Sequence, residues 1–240
     1  MEVNNPASDT LLVFGASGTL GSAVVREARQ SRSFPTVAAC GFRRLPDGDL
    51  RFQFDVLDAA ALDAFADKLA TSNLHVSAVV HCIGATRDAL LPQTSPQEWD
   101  EVVDLNLRSA FLVARRFLPV FVSQRRGHVV FVGSHAGRSG RAGQTGYAAA
   151  KSGLIGLAQS IAREYGRRNI QANVVLPGFL PGSPMVRRMD PETLRQFESE
   201  NTLGSPSTAA EVAQFILHLL SMDHVSGQVF ALDSRILPQH

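Results

Sequence analysis

A tyrosine and a lysine four residues apart are the side chains in this sequence best suited to chemistry. Tyr147 and Lys151 flank three alanines, which favours a helix that places both side chains on one face. Ser134 follows the apolar run 129–132, which is typical of a buried strand. Because an ammonium beside a phenol lowers the phenol pKa, Tyr147 could exchange a proton with a carbonyl or alcohol oxygen near neutral pH. The same spacing also fits a half-buried tyrosine and a solvated lysine without a function.

Length and composition indicate one globular unit. The chain has 240 residues, 45% of them hydrophobic, which is enough for one sizeable core or at most two small domains. The formal net charge of +1 excludes a global field that would steer the chain to nucleic acid or a membrane. The first residues, Met-Glu-Val-Asn-Asn-Pro, lack the basic and apolar regions of a signal peptide. No apolar run reaches the roughly 18 residues that a membrane span needs.

Cysteine and histidine usage points to the same class. Cys40 and Cys82 lie in apolar runs and are expected to be free thiols in a reducing compartment. The seven histidines are scattered, without the ligand spacing of a metal site. The sequence therefore predicts a single cytoplasmic domain with no metal, no nucleic-acid partner and no membrane partner.

A glycine-rich turn near the start of the chain is typical of a nucleotide site. The apolar run 10–14 ends at Gly15, and a helix-like stretch begins at Ser22. Strand, turn and helix in this order offer helix N-terminal amides to a pyrophosphate, and glycines let the backbone approach it closely. An ordinary glycine turn is the alternative interpretation. The residues expected to contact a dinucleotide here are Gly15, Ser17, Gly18, Thr19, Leu20 and Gly21.

The residues after the second strand pattern, 36–41, favour NADP(H) over NAD(H). Dinucleotide folds usually place an acid here to bind the adenosine ribose, but this chain has Arg43 and Arg44. Its nearest acids come later, at Asp47 and Asp49. Arginine suits a 2′-phosphate through its charge and its forked donors. Two solvated loop arginines are the alternative interpretation.

Strand patterns alternate with helix patterns along the whole chain. The expected strands are residues 10–14, 36–41, 50–55, 76–82, 129–132, 170–176 and 228–232. The expected helices are residues 22–30, 59–70, 98–125, 147–168, 191–200 and 208–220. This alternation predicts an α/β fold with a doubly wound parallel sheet of about seven strands, helices on both faces, and ligands at the carboxyl ends of the strands. Only eight residues separate 36–41 from 50–55, too few for a crossover helix, so one face of the sheet should be less covered there.

Two further features bear on the predicted site. Asn106 interrupts the apolar pattern of the helix 98–125, and an amide inside a core needs hydrogen-bond partners. It is interpreted either as an exposed helix residue or as a group that holds a water or a backbone carbonyl. Residues 179–205 follow the strand break at Pro177-Gly178 and are rich in proline, glycine and polar residues. A long segment at this end of a strand is expected to form a substrate lid.

Together these residues resemble the short-chain dehydrogenase/reductase family, in its single-domain branch, over nearly the whole chain. Asn106, Ser134, Tyr147 and Lys151 match the catalytic tetrad of that family in identity, order and spacing. The resemblance implies that Tyr147 is the general acid for carbonyl reduction and that Ser134 binds the substrate oxygen. It also implies that Lys151 holds the nicotinamide ribose and lowers the Tyr147 pKa, and that Asn106 anchors a water in a proton relay.

The same resemblance implies further cofactor contacts. Asp55 and Val56 match positions that contact the adenine, and Leu180 matches a position beside the nicotinamide. The other residues expected in the cofactor site are Cys82, Gly84, Tyr147, Lys151, Pro177 and Gly178.

Within the family the sequence is most similar to β-ketoacyl-[acyl-carrier-protein] reductases, through residues 84–91, 143–156 and 173–179. This similarity implies an NADPH-dependent enzyme that reduces the ketone of a 3-oxoacyl thioester, linked to a carrier protein or to coenzyme A. Arg125 and Arg168 match arginines that dock the acidic carrier protein in those reductases, or are two surface arginines.

Family likeness also implies an oligomer that uses the helices 98–125 and 147–168. The implied assembly is a homotetramer, or a hetero-oligomer with a related subunit. Both helices carry apolar residues on more than one face, as expected if they bury a second surface.

Several residues depart from the family pattern without removing a proton-transfer group. Phe14 replaces the usual threonine before the glycine turn, and Thr19 stands where this branch usually has glycine. His81-Cys82-Ile83-Gly84 replaces Asn-Asn-Ala-Gly, so amide contacts that brace the central strands are missing. The sequence reads Asp233-Ser-Arg-Ile where relatives often have Asp-Gly-Gly. Two other functions stay open: a reductase or dehydrogenase for another small ketone or alcohol, and a non-catalytic NADP-binding sensor or subunit.

Overall fold

Strands alternate with helices along the chain and form one sheet. In the computed structural model, which describes residues 9–72 and 74–236, the strands are β1 (Asp9–Phe14), β2 (Thr36–Gly41), β3 (Leu50–Gln53), β4 (His75–His81), β5 (Gly127–Val132), β6 (Ile170–Leu176) and β7 (Val229–Ala231). All of them pair in parallel, in the order β3-β2-β1-β4-β5-β6-β7. The chain reverses its direction of travel across the sheet between β1 and β4, and such a switch point is where doubly wound sheets bind ligands. The predicted fold class is confirmed.

Helices cover both faces of this sheet. They are α1 (Thr19–Ser31), α2 (Ala59–Thr71), α3 (Pro96–Val103), α4 (Ser109–Gln124), the short α5 (Ala136–Ser139), α6 (Thr145–Tyr165), α7 (Pro191–Ser199) and α8 (Ala209–Leu220). Single 3₁₀ turns lie at Leu91–Gln93, Gly166–Arg168 and Val186–Arg188. The helices α1 and α8 pack on one face, and α2, α4 and α6 pack on the other.

The central strand β1 shows how the sheet supports two cores. Successive side chains of a strand point to opposite faces, so Leu11 and Val13 pack with α1 and α8, whereas Leu12 and Phe14 pack with α2, α4 and α6. Because helices cover both sides, every position of this strand is buried, which is why Leu11-Leu12-Val13-Phe14 is a continuous apolar run.

Phe14, which departs from the family pattern, is a core residue. Its ring meets those of Phe54, Phe65 and Phe117 at centroid distances of 6.4, 6.0 and 6.1 Å. The pairs with Phe54 and Phe65 are edge-to-face, a geometry that adds stability beyond the burial of apolar area. The aromatic cluster therefore fixes the end of β1 from which the glycine turn departs.

Local sequence signals placed several boundaries correctly. Ser95 caps α3 in a capping box with Glu98, and β6 spans the predicted residues Ile170–Leu176. Residues 42–49 form no helix between β2 and β3. As a result Arg51 and Gln53 remain exposed on β3, which confirms that the sheet is less covered there.

Other boundaries differ from the prediction. The helix expected over 98–125 is divided by a π-helical turn at Asp104–Arg108, and α6 ends at Tyr165 before a 3₁₀ turn, rather than at residue 168. The strand β4 ends at His81, so Cys82 lies in the loop after it. None of the helices in the described ranges is long and apolar enough to cross a membrane.

Candidate active site

The predicted catalytic side chains meet at the carboxyl ends of β4 and β5. Lys151 reaches from α6 and donates hydrogen bonds to the carbonyl oxygens of Val132, at 2.9 Å, and Ile83, at 3.1 Å. A Cβ added at Gly84 would lie 3.0 Å from both the Lys151 Nζ and the Asn106 Oδ1. Because Val132 ends β5 and Ile83 follows β4, the lysine ties α6 to both central strands and positions the first turn of that helix.

The phenol of Tyr147 is buried beside Ser134. Tyr147 is 7% exposed, and burial raises the pKa of its phenol, while a hydrogen bond with the Ser134 side chain opposes the rise and the charge of Asp88 adds to it. The expectation that Lys151 lowers the Tyr147 pKa is not met, because the ammonium is turned toward two backbone carbonyls and its Nζ lies 5.7 Å from the tyrosine ring centroid. Burial therefore dominates, and the phenol holds its proton at neutral pH.

Burial also controls Lys151, which is only 2% exposed. It lowers the pKa of the ammonium from 10.5 to about 8, and the nearby Cys82 slightly counters this shift. Desolvation disfavours the charged form of a base, just as it disfavours the charged form of an acid such as tyrosine. The tyrosine and the lysine are thus both held closer to neutrality than they would be in water.

The π-helical turn explains how Asn106 is presented. The Ser109 N–H bonds to the Asp104 carbonyl five residues back, a pattern that breaks the regular helical ladder. The Asn106 Nδ2 donates to the carbonyls of Val102 and Ala85, both at 2.8 Å. Asn106 is fully buried, which excludes the exposed-residue interpretation. Its Oδ1 has no hydrogen-bond partner within the described part of the chain and remains able to accept one.

His81 supplies a brace in place of the family's amide. The Ser109 Oγ donates to the Leu105 carbonyl at 2.6 Å and must therefore accept from the His81 Nε2, 2.9 Å away. The imidazole is fully buried, and burial, followed by the charge of Lys151, lowers its pKa to about 3. A neutral histidine on β4 thus supports the π-helical turn through Ser109.

The glycine turn after β1 leaves the start of α1 open to a ligand. Gly15 has φ +78°, and a Cβ at Gly21 would lie 2.3 Å from the Gly15 carbonyl oxygen, so both positions need glycine. No side chain caps α1, and its first turn contains no acid. The first amides of a helix have no intrahelical partners, and here no side chain of the N-cap residue takes their place. Together with the positive end of the helix dipole, these amides favour an anion.

A cavity of about 800 Å³ joins the glycine turn to the catalytic side chains. Its wall includes Gly18, Thr19, Leu20, Gly21, Arg43, Cys82, Gly84, Ser134, Tyr147, Lys151, Pro177, Gly178 and Leu180. The far part of the cavity lies under residues 183–200, where apolar and charged side chains mix. An extended ligand could therefore reach from the start of α1 past Lys151 to Tyr147.

Comparison with known proteins identifies the family that shares this arrangement. A family model described as enoyl-(acyl carrier protein) reductase matches residues 21–234. The chain belongs to the short-chain dehydrogenase/reductase family. The family expected from the tetrad is confirmed, and the chain is an oxidoreductase that uses a nicotinamide cofactor.

Three relatives of this short-chain dehydrogenase/reductase illustrate the similarity. The 3-oxoacyl-[acyl-carrier-protein] reductase FabG of Thermotoga maritima is 35% identical over 188 residues, which are 78% of this chain and 76% of the relative. The (3R)-3-hydroxyacyl-CoA dehydrogenase of Homo sapiens is 34% identical in an alignment of 241 positions that covers 92% of this chain and 91% of the relative. The acetoacetyl-CoA reductase of Acinetobacter sp. is 30% identical in an alignment of 240 positions that covers 92% of this chain and 95% of the relative.

The residues of this short-chain dehydrogenase/reductase fit a nicotinamide dinucleotide. The glycine turn leaves backbone room and free amides for the pyrophosphate, and Lys151 uses two of its three N–H donors on protein carbonyls. Gly178 has φ +75°, and both Pro177 and Gly178 line the cavity wall. Thr19, in place of a glycine, is the first residue of α1 and leaves the turn intact.

Five of the residues predicted to bind the cofactor are absent from the wall of this cavity: Gly15, Ser17, Arg44, Asp55 and Val56. Arg44 and Ser17 line an adjoining cavity of about 550 Å³, and the Arg44 guanidinium donates to the Ser17 carbonyl at 3.1 Å. Asp55 accepts from the Leu57 N–H at 2.9 Å, and Val56 belongs to the core beside α2. The adenine contacts of Asp55 and Val56 stay predictions, as do the cofactor contacts of Ser17 and Arg44.

Some residues around the site of this short-chain dehydrogenase/reductase were not singled out from the sequence. Gln144 is 3% exposed, and its Nε2 lies 3.1 Å from each Asp88 carboxylate oxygen. His135, next to Ser134, is 7% exposed, and its Nε2 lies 3.0 Å from the Asp233 Oδ1. The position of His135 beside the serine was the one signal available, because its partner lies about a hundred residues later in the sequence.

Proposed function

We propose that the protein reduces the ketone of a 3-oxoacyl thioester to the 3-hydroxy product with NADPH. The observation that carries this proposal is the buried Tyr147 phenol, which lies beside Ser134 and Lys151 on the wall of a large cavity. Apolar side chains line the lid side of the same cavity, as suits an acyl chain: Phe179, Met185, Met189 and Phe197. The names of the relatives, which refer to 3-oxoacyl, 3-hydroxyacyl and acetoacetyl thioesters, support the same substrate class.

Tyr147 is the acid that protonates the ketone oxygen in this proposal. Since burial raises the pKa of its phenol, the group is protonated at neutral pH, which suits reduction better than oxidation. The Ser134 Oγ accepts from the Ala136 N–H at 3.2 Å, so the hydroxyl proton is left for the ketone oxygen or the phenol. A nicotinamide, when bound, supplies the hydride for the ketone carbon.

Lys151 and Asn106 support this proton transfer. The third N–H of Lys151 is available to the ribose hydroxyls of the cofactor, because the other two are held by backbone carbonyls. The free Oδ1 of Asn106 can accept from a water that returns a proton toward Tyr147. Lys151 and Asn106 thus hold the two ends of the proposed proton relay, and neither of them reacts with the substrate.

The proposed preference for NADPH rests on Arg43. Its exposed side chain lines the main cavity, whereas Arg44 is engaged with Ser17. We expect Arg43→Glu to weaken NADPH binding on the order of tenfold or more, since a hydrogen bond to a charged group contributes about 1.5–3 kcal/mol, and to leave NADH binding nearly unchanged. Titration of cofactor fluorescence measures both affinities. Arg51→Glu, an exposed change on β3, is the matched control, and equal losses for both cofactors in Arg43→Glu would assign the phosphate to another residue.

The experiment that tests the function is NADPH consumption by the purified protein with an acetoacetyl thioester. NADH and a simple ketone without a thioester are run in parallel. Turnover that requires both NADPH and the thioester is expected. Turnover with only the simple ketone would replace the proposal with a general carbonyl reductase. Cofactor binding without turnover of either substrate would favour a binding subunit.

Carrier-protein docking at Arg125 and Arg168 is a further part of the proposal. Both residues are exposed and precede the paired residues Gly127 and Ile170 at the start of β5 and β6. They therefore lie at the amino ends of these strands, whereas Ser134 lies at the carboxyl end of β5. A strand of six residues is about 20 Å long. A carrier bound there would therefore serve the active site of another subunit more easily than that of its own chain.

An assembly of several copies fits this arrangement. We propose a homotetramer, or a hetero-oligomer with a related subunit, that uses the outer surfaces of α4 and α6, in the cytoplasm. Phe111 on α4 is 48% exposed, although its helix packs the opposite face into the core. A large apolar side chain in this position is suited to a partner surface.

A further inference from the structure

The carboxyl-terminal segment crosses the catalytic end of the sheet beneath the residues proposed as the lid. After β7, residues 232–235 run between the Pro177-Gly178 turn, the Ser134 loop and the end of α7. The centre of this segment is Asp233, whose side chain is fully buried. A buried carboxylate is costly unless it is paired, so its partners matter for the position of every segment around it.

Asp233 joins three separate parts of the chain. Its Oδ2 accepts from the Arg235 Nε at 2.6 Å, and its Oδ1 lies 3.0 Å from the His135 Nε2. This second contact joins the loop that carries Ser134 to the carboxyl-terminal segment. A Cβ at Gly178 would lie 2.5 Å from the carboxylate. Burial raises the pKa of Asp233, but the contacts with His135 and Arg235 outweigh it and leave the pKa below its ordinary value.

Arg235 extends this cluster to the end of α7. Its side chain is 12% exposed, and its guanidinium lies 5.6 Å from the ring centroid of Phe197 and 3.8 Å from the Glu200 carboxylate. Phe197 stacks on Phe179 at 5.8 Å with 10° between the ring planes. The arginine therefore connects the buried carboxylate to the aromatic wall of the cavity.

Ser234 fastens the segment after α7 by several hydrogen bonds. Its carbonyl accepts from the Thr202 Oγ1 at 2.8 Å, and its Oγ accepts from the Leu203 N–H at 3.2 Å. Asn201, which is 3% exposed, closes the same junction through its Oδ1, 3.3 Å from the Ser234 Oγ, and its Nδ2, which donates to the Phe197 carbonyl at 2.8 Å. Side-chain and backbone hydrogen bonds thus together hold Ser234 against residues 201–203.

We infer that Asp233, Ser234 and Arg235 form a strap that holds α7 over the acyl pocket, with Arg235 as a positioning residue for the substrate. The inference rests on the proposed function, because the pocket that the strap shapes is the one assigned to the acyl chain. It gives a role to the Asp-Ser-Arg sequence that stands where related chains often have Asp-Gly-Gly. Neither glycine could supply the guanidinium and hydroxyl contacts described above.

Arg235→Gln tests the strap, with Arg195→Gln as the matched control. Arg195 is exposed on the same helix and forms no hydrogen bond or ion pair with Asp233, Ser234 or Arg235 in the described part of the chain. In Arg235→Gln we expect hydrogen exchange to accelerate by about tenfold in residues 191–203 and the KM for a medium-chain 3-oxoacyl thioester to rise by a similar factor. Tenfold is the scale for loss of one charge-assisted hydrogen bond. NADPH affinity and kcat should change by less than about threefold, and Arg195→Gln should match the wild type.

Asp233→Asn is the second variant, and it keeps the volume of the buried side chain. It should accelerate exchange in the same segment, because Arg235 loses its charged partner, and it should also lower kcat, because a neutral amide replaces the carboxylate that contacts His135 beside Ser134. Unchanged exchange in residues 191–203 in both variants would overturn the strap. So would faster exchange spread evenly over the sheet, which indicates general destabilisation. If the wild type does not reduce the thioester, the proposed function fails, while the exchange comparison still decides whether the strap exists.

Discussion

The protonation of Tyr147 and Lys151 is set mainly by burial. The two side chains are 7% and 2% exposed, and burial is the first cause both of the raised pKa of the phenol and of the lowered pKa of the ammonium. Each shift favours the neutral form, as desolvation does for an acid and for a base. The cavity wall, more than the mutual charge of the pair, therefore keeps the phenol in its protonated form.

Replacement of the phenol tests this assignment. Tyr147→Phe should lower turnover by on the order of 10² or more, the usual scale for loss of a general acid, while NADPH binding stays near that of the wild type. Steady-state kinetics and cofactor titration measure the two effects. Tyr165→Phe, at the other tyrosine of the chain, is the control and should keep full turnover. Equal activity in Tyr147→Phe and the wild type would rule out the phenol as the acid.

The buried ammonium predicts a pH dependence of stability. The pKa of Lys151 falls from 10.5 to about 8 in the folded protein, so below pH 8 both states are protonated and the cost of burying the charge is fully present. Between about pH 8 and 10.5 the folded state loses its proton first. The stability of the wild type relative to Lys151→Met should therefore rise with pH in this window, by at most about 1.4 kcal/mol per unit.

Denaturant unfolding of the two proteins between pH 7 and 10 measures this difference. Lys68→Met, at the chain's other lysine, is the control, because Lys68 is exposed. A difference that stays flat across pH 8–10 would contradict a lowered pKa of Lys151.

The π-helical turn between α3 and α4 is the element on which the position of Asn106 depends. A regular helix would satisfy its carbonyls through the backbone, whereas here side chains of Asn106 and Ser109 bond to Val102 and Leu105. His81 on β4 holds Ser109 in place. An irregular turn of this kind is maintained by side-chain contacts from the same helix and from the sheet below it.

Ser109→Ala should disrupt this element. The substitution removes the hydroxyl that bonds to the Leu105 carbonyl and to the His81 imidazole. We therefore expect a loss of about 1–3 kcal/mol in the free energy of unfolding. We also expect a fall in kcat that is larger than any change in KM. Urea unfolding and steady-state kinetics measure these quantities. Ser123→Ala, an exposed serine on α4 whose hydroxyl bonds to the Val120 carbonyl, should change neither. An unaltered kcat in Ser109→Ala would show that the action of Asn106 does not depend on the Ser109 hydroxyl.

The whole molecule divides its surface between two ends of one sheet. The carboxyl ends of the strands carry the catalytic cavity, whereas Arg125 and Arg168 lie at the amino ends of β5 and β6. The helices α4 and α6 run between these ends on one face. The residues proposed for carrier docking and the catalytic side chains therefore lie at opposite ends of the strands.

The proposed association predicts an effect of Phe111→Asp. A carboxylate in place of this half-exposed ring should lower the molar mass measured by light scattering, because a buried interface does not accept an unpaired charge. Leu203→Asp, an 82% exposed position outside the two helices, is the control and should keep the wild-type mass. An unchanged mass in Phe111→Asp would exclude this part of α4 from the interface.

The sequence by itself determined what depends on neighbouring residues. The strand β6 lies between Asn169, which has φ +59°, and Pro177, and its residues Ile170–Leu176, mostly apolar, could be read directly as a strand. Ser95 and Glu98 fixed the start of α3, because a capping box needs only four residues. The spacing of Tyr147 and Lys151 along α6 likewise put the two side chains on one helical face.

Only the tertiary structure decided what depends on burial and on distant contacts. Whether Asn106 is exposed or fully buried, and in which direction the Tyr147 pKa moves, depends on the walls that β4, β5 and α6 build together. The contact of His135 with Asp233 joins residues almost a hundred positions apart, which no local pattern encodes. Desolvation and long-range pairing are properties of the assembled fold, and for this reason the strap and the tuning of the site emerged only from the structure.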